Sequence, residues 1–239
     1  MKLLHPGVFI LEGFRASCIY ALAVDDGVAL IDSGMPGAAP RIAAELASAG
    51  YAPGDLRAIV LTHAHFDHTG SAAALAELSG AEVLAYLDEV PYVEGVEPLP
   101  YRSRAQRVAM GVAGGALSQA SVCKVTRALS DGEVLESLGG LQVLHTPGHT
   151  PGSVCLYWPA GRVLFSGDLL VNSRRFAMRP ALNFSVQGFS VDPEVARRSA
   201  RRLLALPIEV LCCGHGGAIT QRVSEQIRAL LDTVSAPTS

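Results

Sequence analysis

Charge is scarce in this sequence: only 17% of its 239 residues are Asp, Glu, Lys or Arg, and they nearly cancel to a net charge of -3. With a pI near 6.2 there is no broad positive field to gather a polyanion, so nucleic acid is not an expected partner. Cysteine is sparse too. The five present are odd in number and show no C-x-x-C spacing, which argues against a disulfide framework and for a reducing compartment, the cytoplasm. No apolar run reaches the ~18 residues that a membrane span needs. The opening MKLLHPGVFILEG carries one lysine, and its apolar stretches are broken by His5, Pro6 and Gly7, so it lacks the apolar segment of a signal peptide. No membrane partner is expected. Solenoid repeats are absent, and low complexity is confined to the final SAPTS.

Apolar residues, in contrast, make up 49% of the chain, enough to bury one large core, and residues 1–239 are read as a single domain. Short apolar, β-branched runs recur: GVFIL from Gly7, CIYALAV from Cys18, VALID from Val28, AIVLT from Ala58 and EVLAY from Glu82. They continue with LQVLH from Leu141, VCLYW from Val154, RVLFS from Arg162 and EVLCC from Glu209. Each is bounded by Gly, Pro or Asp and reads as a strand. Helical stretches lie between them: APRIAAELASAG, SAAALAELSG, PEVARRSARRLLAL with Asp192 as cap and Pro193 in its first turn, and SEQIRALLDTV. Strands that read as continuous apolar runs, interleaved with helices, predict a layered α/β domain with chemistry on the loops leaving strand ends. Residues 90–130 break this rhythm. There VPYVEGVEPLPY reads as an extended loop and the following Arg-, Ala- and Gly-rich stretch as a helix weakened by Gly111, Gly114 and Gly115, together an excursion from the core, with a lid and a plain surface connection as the two readings.

Of seven histidines, three fall in THAHFDHTG, from Thr62 to Gly70, directly after an apolar run. His63 and His65 are two apart, which on an extended segment puts both rings on one side, suited to grip one ion. Asp67 and His68 follow as the chain turns into SAAALAEL and are placed to serve a second ion nearby. Imidazole and carboxylate together suit zinc, and also manganese or iron. Ligand-type residues recur at later strand ends: His145 and His149 in LQVLHTPGHTPGS, Asp168 in RVLFSGDLL and His215 in EVLCCGHGG.

THAHFDH, TPGHT, SGD and GHG, in that order, resemble the ligand motifs of the metallo-β-lactamase superfamily, and DSG at Asp32 to Gly34 is similar to its early Asp-x-Gly turn. The resemblance runs from Gly7 to about Leu231. It implies a four-layer αββα sandwich with a two-metal site at one edge of the paired sheets. Carried over, one metal would be held by His63, His65 and His149 and the other by Asp67, His68 and His215, with Asp168 bridging. His145 is left for hydrogen bonding or packing, Asp32 for orienting ligands from behind, and His5 has no support as a ligand.

Two adjacent divalent ions, zinc in the leading reading, lower the pKa of a shared water to about 7 and make hydroxide available at neutral pH. Asp67 is the ligand given a catalytic, proton-handling role as well. The expected function is hydrolysis of a small ester, thioester or lactone, as the HTPGHTPGS turn resembles the glyoxalase II-like and lactonase-like branches. Two departures stand out: the chain ends about two dozen residues after His215, without room for the glutathione-binding helical domain of glyoxalase II, and no tyrosine follows Asp168 closely as in quorum-sensing lactonases. The alternatives are a mononuclear-iron, persulfide dioxygenase-like enzyme, a β-lactamase or a phosphodiesterase. A small molecule is the expected partner, and a homodimer is left open. Arg174, Arg175 and Arg179 are candidates to hold a substrate anion or to face water. Arg197, Arg198, Arg201 and Arg202 read as an exposed helix face, Tyr92 and Tyr101 as lid candidates, and Cys212 and Cys213 as buried thiols.

Overall fold

The computed structural model describes residues 1–101, 103–104, 108, 115–173, 181–185 and 187–235. Two sheets form the centre. The first has seven strands in chain order: β1 (Lys2–His5), β2 (Val8–Ile10), β3 (Tyr20–Val24), β4 (Gly27–Ile31), β5 (Leu56–Val60), β6 (Glu82–Tyr86) and β7 (Arg127–Leu129). Pairing is antiparallel from β1 to β4 and parallel from β4 to β7. The second sheet contains β8 (Val134–Leu135), β9 (Leu141–His145), β10 (Val154–Trp158) and β11 (Val163–Gly167). A separate hairpin follows, β12 (Leu170–Ser173) with β13 (Ala181–Phe184). Then β14 (Val210–Cys213) and β15 (Ala218–Ile219) complete the second sheet, in the order β15-β14-β11-β10-β9-β8.

Consecutive side chains along a strand point to opposite faces, and here both faces are buried. Ile31 and Val60 pack between the sheets against Leu156 and Phe165, while their neighbours Leu30 and Ile59 face outward against helices α1 (Ala39–Ser48) and α3 (Ala72–Ser79), with the short α2 (Phe66–Thr69) preceding the latter. The second sheet does the same. Phe165 faces inward, and Leu164 and Leu211 pack on the outer helices α5 (Pro193–Ala200) and α6 (Val223–Ser235), α4 being the short Val90–Val93. Helix, sheet, sheet, helix: the fold is the expected αββα sandwich. Double burial is why its strands read as unbroken apolar runs.

Local signals set the helix ends. Asp192 caps α5, its Oδ1 accepting from the backbone N–H of Glu194 and Val195 at 3.0 Å, with Pro193 in the first turn. In α1, Ile42 and Leu46, four apart, supply the inward stripe. Phe165 lies at the centre of the inter-sheet core, 1% exposed and edge-on to Tyr20 at 5.7 Å. Phe165→Ala is expected to cost about 3–5 kcal/mol by leaving a cavity that two facing sheets cannot close, read as a lower denaturation midpoint at unchanged slope.

The 90–130 segment is less of an excursion than its composition predicts. Val90–Val93 is a helical turn with Pro91 in its first turn rather than extended chain, Cys123 is buried in the outer core of the first sheet, and Arg127–Leu129 pairs with β6 as an edge strand. The Arg-Ala-Leu triplet is too short to show an alternation, and it joins the sheet through backbone bonds. Residues 115–120 are helical, while Gly111 and Gly114 lie outside the described residues. Among the described residues no helix is long and apolar enough to cross a membrane.

Candidate metal centre

Strands β9, β11 and β14 run in the same direction, because β9 and β11 are each antiparallel to β10 and β14 is parallel to β11. Their C-terminal ends therefore share one edge of the second sheet. The turn after β9 carries His149, the residue after β11 is Asp168, and the loop after β14 carries His215. The loop after β5 meets them from the other sheet, tied by the Val154 N–H donating to Thr62 O at 3.0 Å. His65 is the residue before α2, and Asp67 and His68 lie within that helix, a separate turn rather than the entry to the longer α3.

The seven residues converge. His65 Nδ1 is 3.1 Å from His63 Nε2 and 3.0 Å from His149 Nε2. His68 Nε2 lies 3.4 Å from His215 Nε2, and Asp67 Oδ2 is 3.8 and 3.5 Å from these two nitrogens. Asp168 touches both groups. Its Oδ1 is 3.5 Å from His68 Nε2, and its Oδ2 is 3.6 Å from His149 Nε2 and 3.1 Å from His215 Nε2. Burial is graded: the rings of His63, His68 and His149 are fully enclosed, whereas Asp67 and His215 keep 18% and 32% of their side chains exposed and form the open side.

Whether these atoms suit cations is decided by what stands behind them. Thr62 Oγ1 donates to Asp32 Oδ2 at 2.8 Å and so accepts from His63 Nδ1 at 3.0 Å. His68 Nδ1 donates to the same Asp32 Oδ2 at 2.7 Å, and His149 Nδ1 meets Ser190 Oγ at 3.2 Å. With their Nδ1 protons turned outward, His63, His68 and His149 aim bare Nε2 lone pairs inward at one another. Four tetrahedral ligands about 2.05 Å from zinc sit about 3.3 Å apart, close to the spacings found here. Asp168 Oδ1 adds a buried oxygen with no hydrogen-bond partner among the described residues. Crowded acceptors and an orphaned carboxylate oxygen fit a cation-binding centre.

The electrostatics agree. Burial, reinforced by the neighbouring rings, depresses His63 far below its usual value and His149 to about 3, which keeps both imidazoles neutral as ligation requires. Burial opposes charge on His68 as well, but the carboxylates of Asp32, Asp67 and Asp168 outweigh it and push that ring up to about 10. His215 is raised, Asp168 overcoming its burial. Asp168 itself is held low, since His68, His215 and His149 outweigh the burial that would raise it. The carboxylates of Asp67 and Asp168 thus favour positive charge beside the rings of His68 and His215, which a bound cation would supply.

The profile of the metallo-beta-lactamase superfamily matches residues 13–215. The chain belongs to that superfamily. It is 33% identical over 201 residues to the probable metallo-hydrolase YflN of Bacillus subtilis (strain 168), covering 80% of this chain and 76% of that one. It is 31% identical over 210 residues to a hydroxyacylglutathione hydrolase of Pseudomonas aeruginosa (strain LESB58), covering 86% of this chain but only 64% of that enzyme. Among solved structures, TTHA1623 in a di-iron-bound form matches with a TM-score of 0.64 and 29% identity over 98% of this chain and 99% of that one. A superfamily hydrolase with His/Asp clusters able to bind metal is what these likenesses support.

The residues set aside in the sequence have other work. His145 stacks on Tyr86 at 4.2 Å and its Nε2 meets Pro151 O at 2.9 Å, while Arg202 donates to His145 O at 2.7 Å. Arg202 thus braces the start of the His149 turn rather than simply facing water. His5 meets Pro6 O and the edge of Trp158. Tyr92 packs, partly buried, on the outer core, and Cys212 and Cys213 are buried thiols. Arg174, Arg175 and Arg179 lie outside the described residues. Sequence reasoning missed Ser190 and Glu89, which lie far along the chain from the histidines they support and carry no local signal.

Proposed function

We propose that this superfamily hydrolase is a single-domain enzyme that cleaves a small thioester, or a related ester or lactone, with two divalent ions, zinc foremost, held by His63, His65 and His149 and by Asp67, His68 and His215, with Asp168 between them. The observation that carries this reading is the joint position of both ligand groups on one cavity of about 340 Å³, into which His65, Asp67, Asp168 and His215 open. When bound, such ions lower the pKa of a shared water to about 7 and stabilise a developing oxyanion. The chain's own residues supply the rest. Asp67, part-exposed at the cavity, is placed to orient the attacking water and carry its proton toward the leaving group. Phe66, Val171 and Phe189 line the cavity beside the ligands and offer an apolar wall for an acyl group, with Ser173 and Ser185 on the same lining. Thioester chemistry is favoured by the likeness to hydroxyacylglutathione hydrolase, and five free thiols fit a reducing cytoplasm.

The test joins elemental analysis of the purified protein with a panel of thioester, ester, lactone, β-lactam and phosphodiester substrates. Two ions per chain and fastest turnover on a thioester are expected. A blank on every hydrolytic substrate with two ions bound would count against hydrolysis, and a single iron would favour oxidative chemistry instead. Asp67→Asn, compared at full metal occupancy, is expected to lower kcat about 10²–10⁴-fold, and unchanged turnover would remove Asp67 from the proton-handling role.

A further inference from the structure

Glu89 is a charged residue where charge is expensive. It closes a short turn after β6, is 1% exposed, and lies outside every ligand motif. Its two oxygens reach two different loops. Oε1 accepts from the backbone N–H of Ala64 at 2.7 Å, and Oε2 accepts from the backbone N–H of Gly152 at 2.7 Å. Ala64 sits between His63 and His65. Gly152 is three residues past His149 in the TPGHTPG turn.

All three nitrogens of the first ligand group therefore come from backbone held by one carboxylate. The approach is close on both sides: a Cβ at Gly152 would fall 2.5 Å from Glu89 N and 2.7 Å from its Oε2, so only glycine lets this backbone reach Glu89. The carboxyl is pushed up to about 7 by burial, against the pull of the Thr150 hydroxyl and the two backbone donors. A buried carboxylate that merely filled space would be better replaced by an apolar side chain. Apart from this clamp, the two loops are tied at the backbone by Val154 N–H to Thr62 O, on the sheet side of the ligands.

We propose that Glu89 is the positioning residue of the three-histidine half-site: by taking one backbone N–H from each loop, it fixes the separation of the His63–His65 loop from the His149 turn and so sets the affinity for the ion held there. This rests on the metal reading given above. Glu89 does not line the cavity and acts only through the loops.

Zinc titration against a competing chelator tests it, with Glu89→Gln, which keeps the volume but offers one acceptor oxygen and places an amide N–H₂ against a backbone donor. One of the two ions is expected to bind 10–100-fold more weakly in E89Q while the other stays within about threefold. His215→Ala is expected to weaken the other ion, and the E89Q/H215A double variant to weaken both. A purely structural Glu89 would lower the Tm of the metal-free protein and leave both affinities alone, which overturns the proposal. In the wild-type metal-free protein the amides of Ala64 and Gly152 are expected to exchange slowly and together with deuterium. Rapid exchange at either one overturns the clamp even if E89Q does not fold. Wild-type protein that takes up no zinc overturns the metal reading and the proposal with it, whereas two ions of unchanged affinity in E89Q overturn the proposal alone.

Discussion

On the proposed two-ion reading, Asp168→Asn is expected to lower kcat/KM by about 10³-fold and to drop the bound metal from two ions to one or none. The oxygens of Asp168 lie between the two ligand groups, within 3.6 Å of ring nitrogens from His68, His149 and His215, so this carboxylate contacts both groups directly. Asparagine keeps the shape but loses the charge, and its amide nitrogen turns a donor toward lone pairs that need an acceptor or a cation. A loss of several kcal/mol in transition-state stabilisation corresponds to roughly 10³-fold. Metal content and kinetics measured on one preparation check it. Turnover within tenfold of wild type, at two ions per chain, would show that the two groups work without a shared carboxylate.

How much of this was legible beforehand depends on burial and on distance along the chain. Strands such as β4 and β5 announced themselves because Leu30 and Ile31, or Ile59 and Val60, are adjacent and each faces a different core, so no polar residue interrupts them. β7 did not, having three residues and an exposed arginine, and neither did the hairpin β12–β13, which stands apart from both sheets. The ligand side chains were legible because THAHFDH crowds four of them into six positions. Which ligands share an ion was not, since spacing alone does not say that His149 closes on His63 and His65 rather than on His68. That division came from resemblance to a family; in three dimensions the ligand atoms cluster as His63, His65 and His149, as Asp67, His68 and His215, and also as His63, His68 and Asp168. The supports behind the ligands were partly visible: Asp32 stood in a recognisable turn, while Ser190 and Glu89 make contacts across 41 and 63 residues and had no sequence signal.

Asp32 gives the other large expected effect, because one carboxylate stands behind both half-sites. It accepts the Thr62 backbone N–H at 2.8 Å, the Thr62 hydroxyl at 2.8 Å and His68 Nδ1 at 2.7 Å, and Thr62 in turn accepts from His63. Asp32→Ala leaves three buried donors without an acceptor, a cost of about 3–5 kcal/mol, or a fall in Tm of roughly 10 °C for a domain this size. It also frees His68 and, through Thr62, His63 to rotate, so both ions are expected to bind 10–100-fold more weakly. Alanine is also strained at this position, whose φ of 62° is tolerated better by Asp or Asn. Asp32→Asn therefore isolates the side-chain effect: it retains one oxygen and the backbone, and its expected losses are smaller in Tm but still shared by both ions. Thermal melts of the metal-free protein, set beside zinc affinities, separate the two contributions. Loosening of a single ion in D32N would break the link from Asp32 through Thr62 to His63, leaving His68 as its only ligand contact.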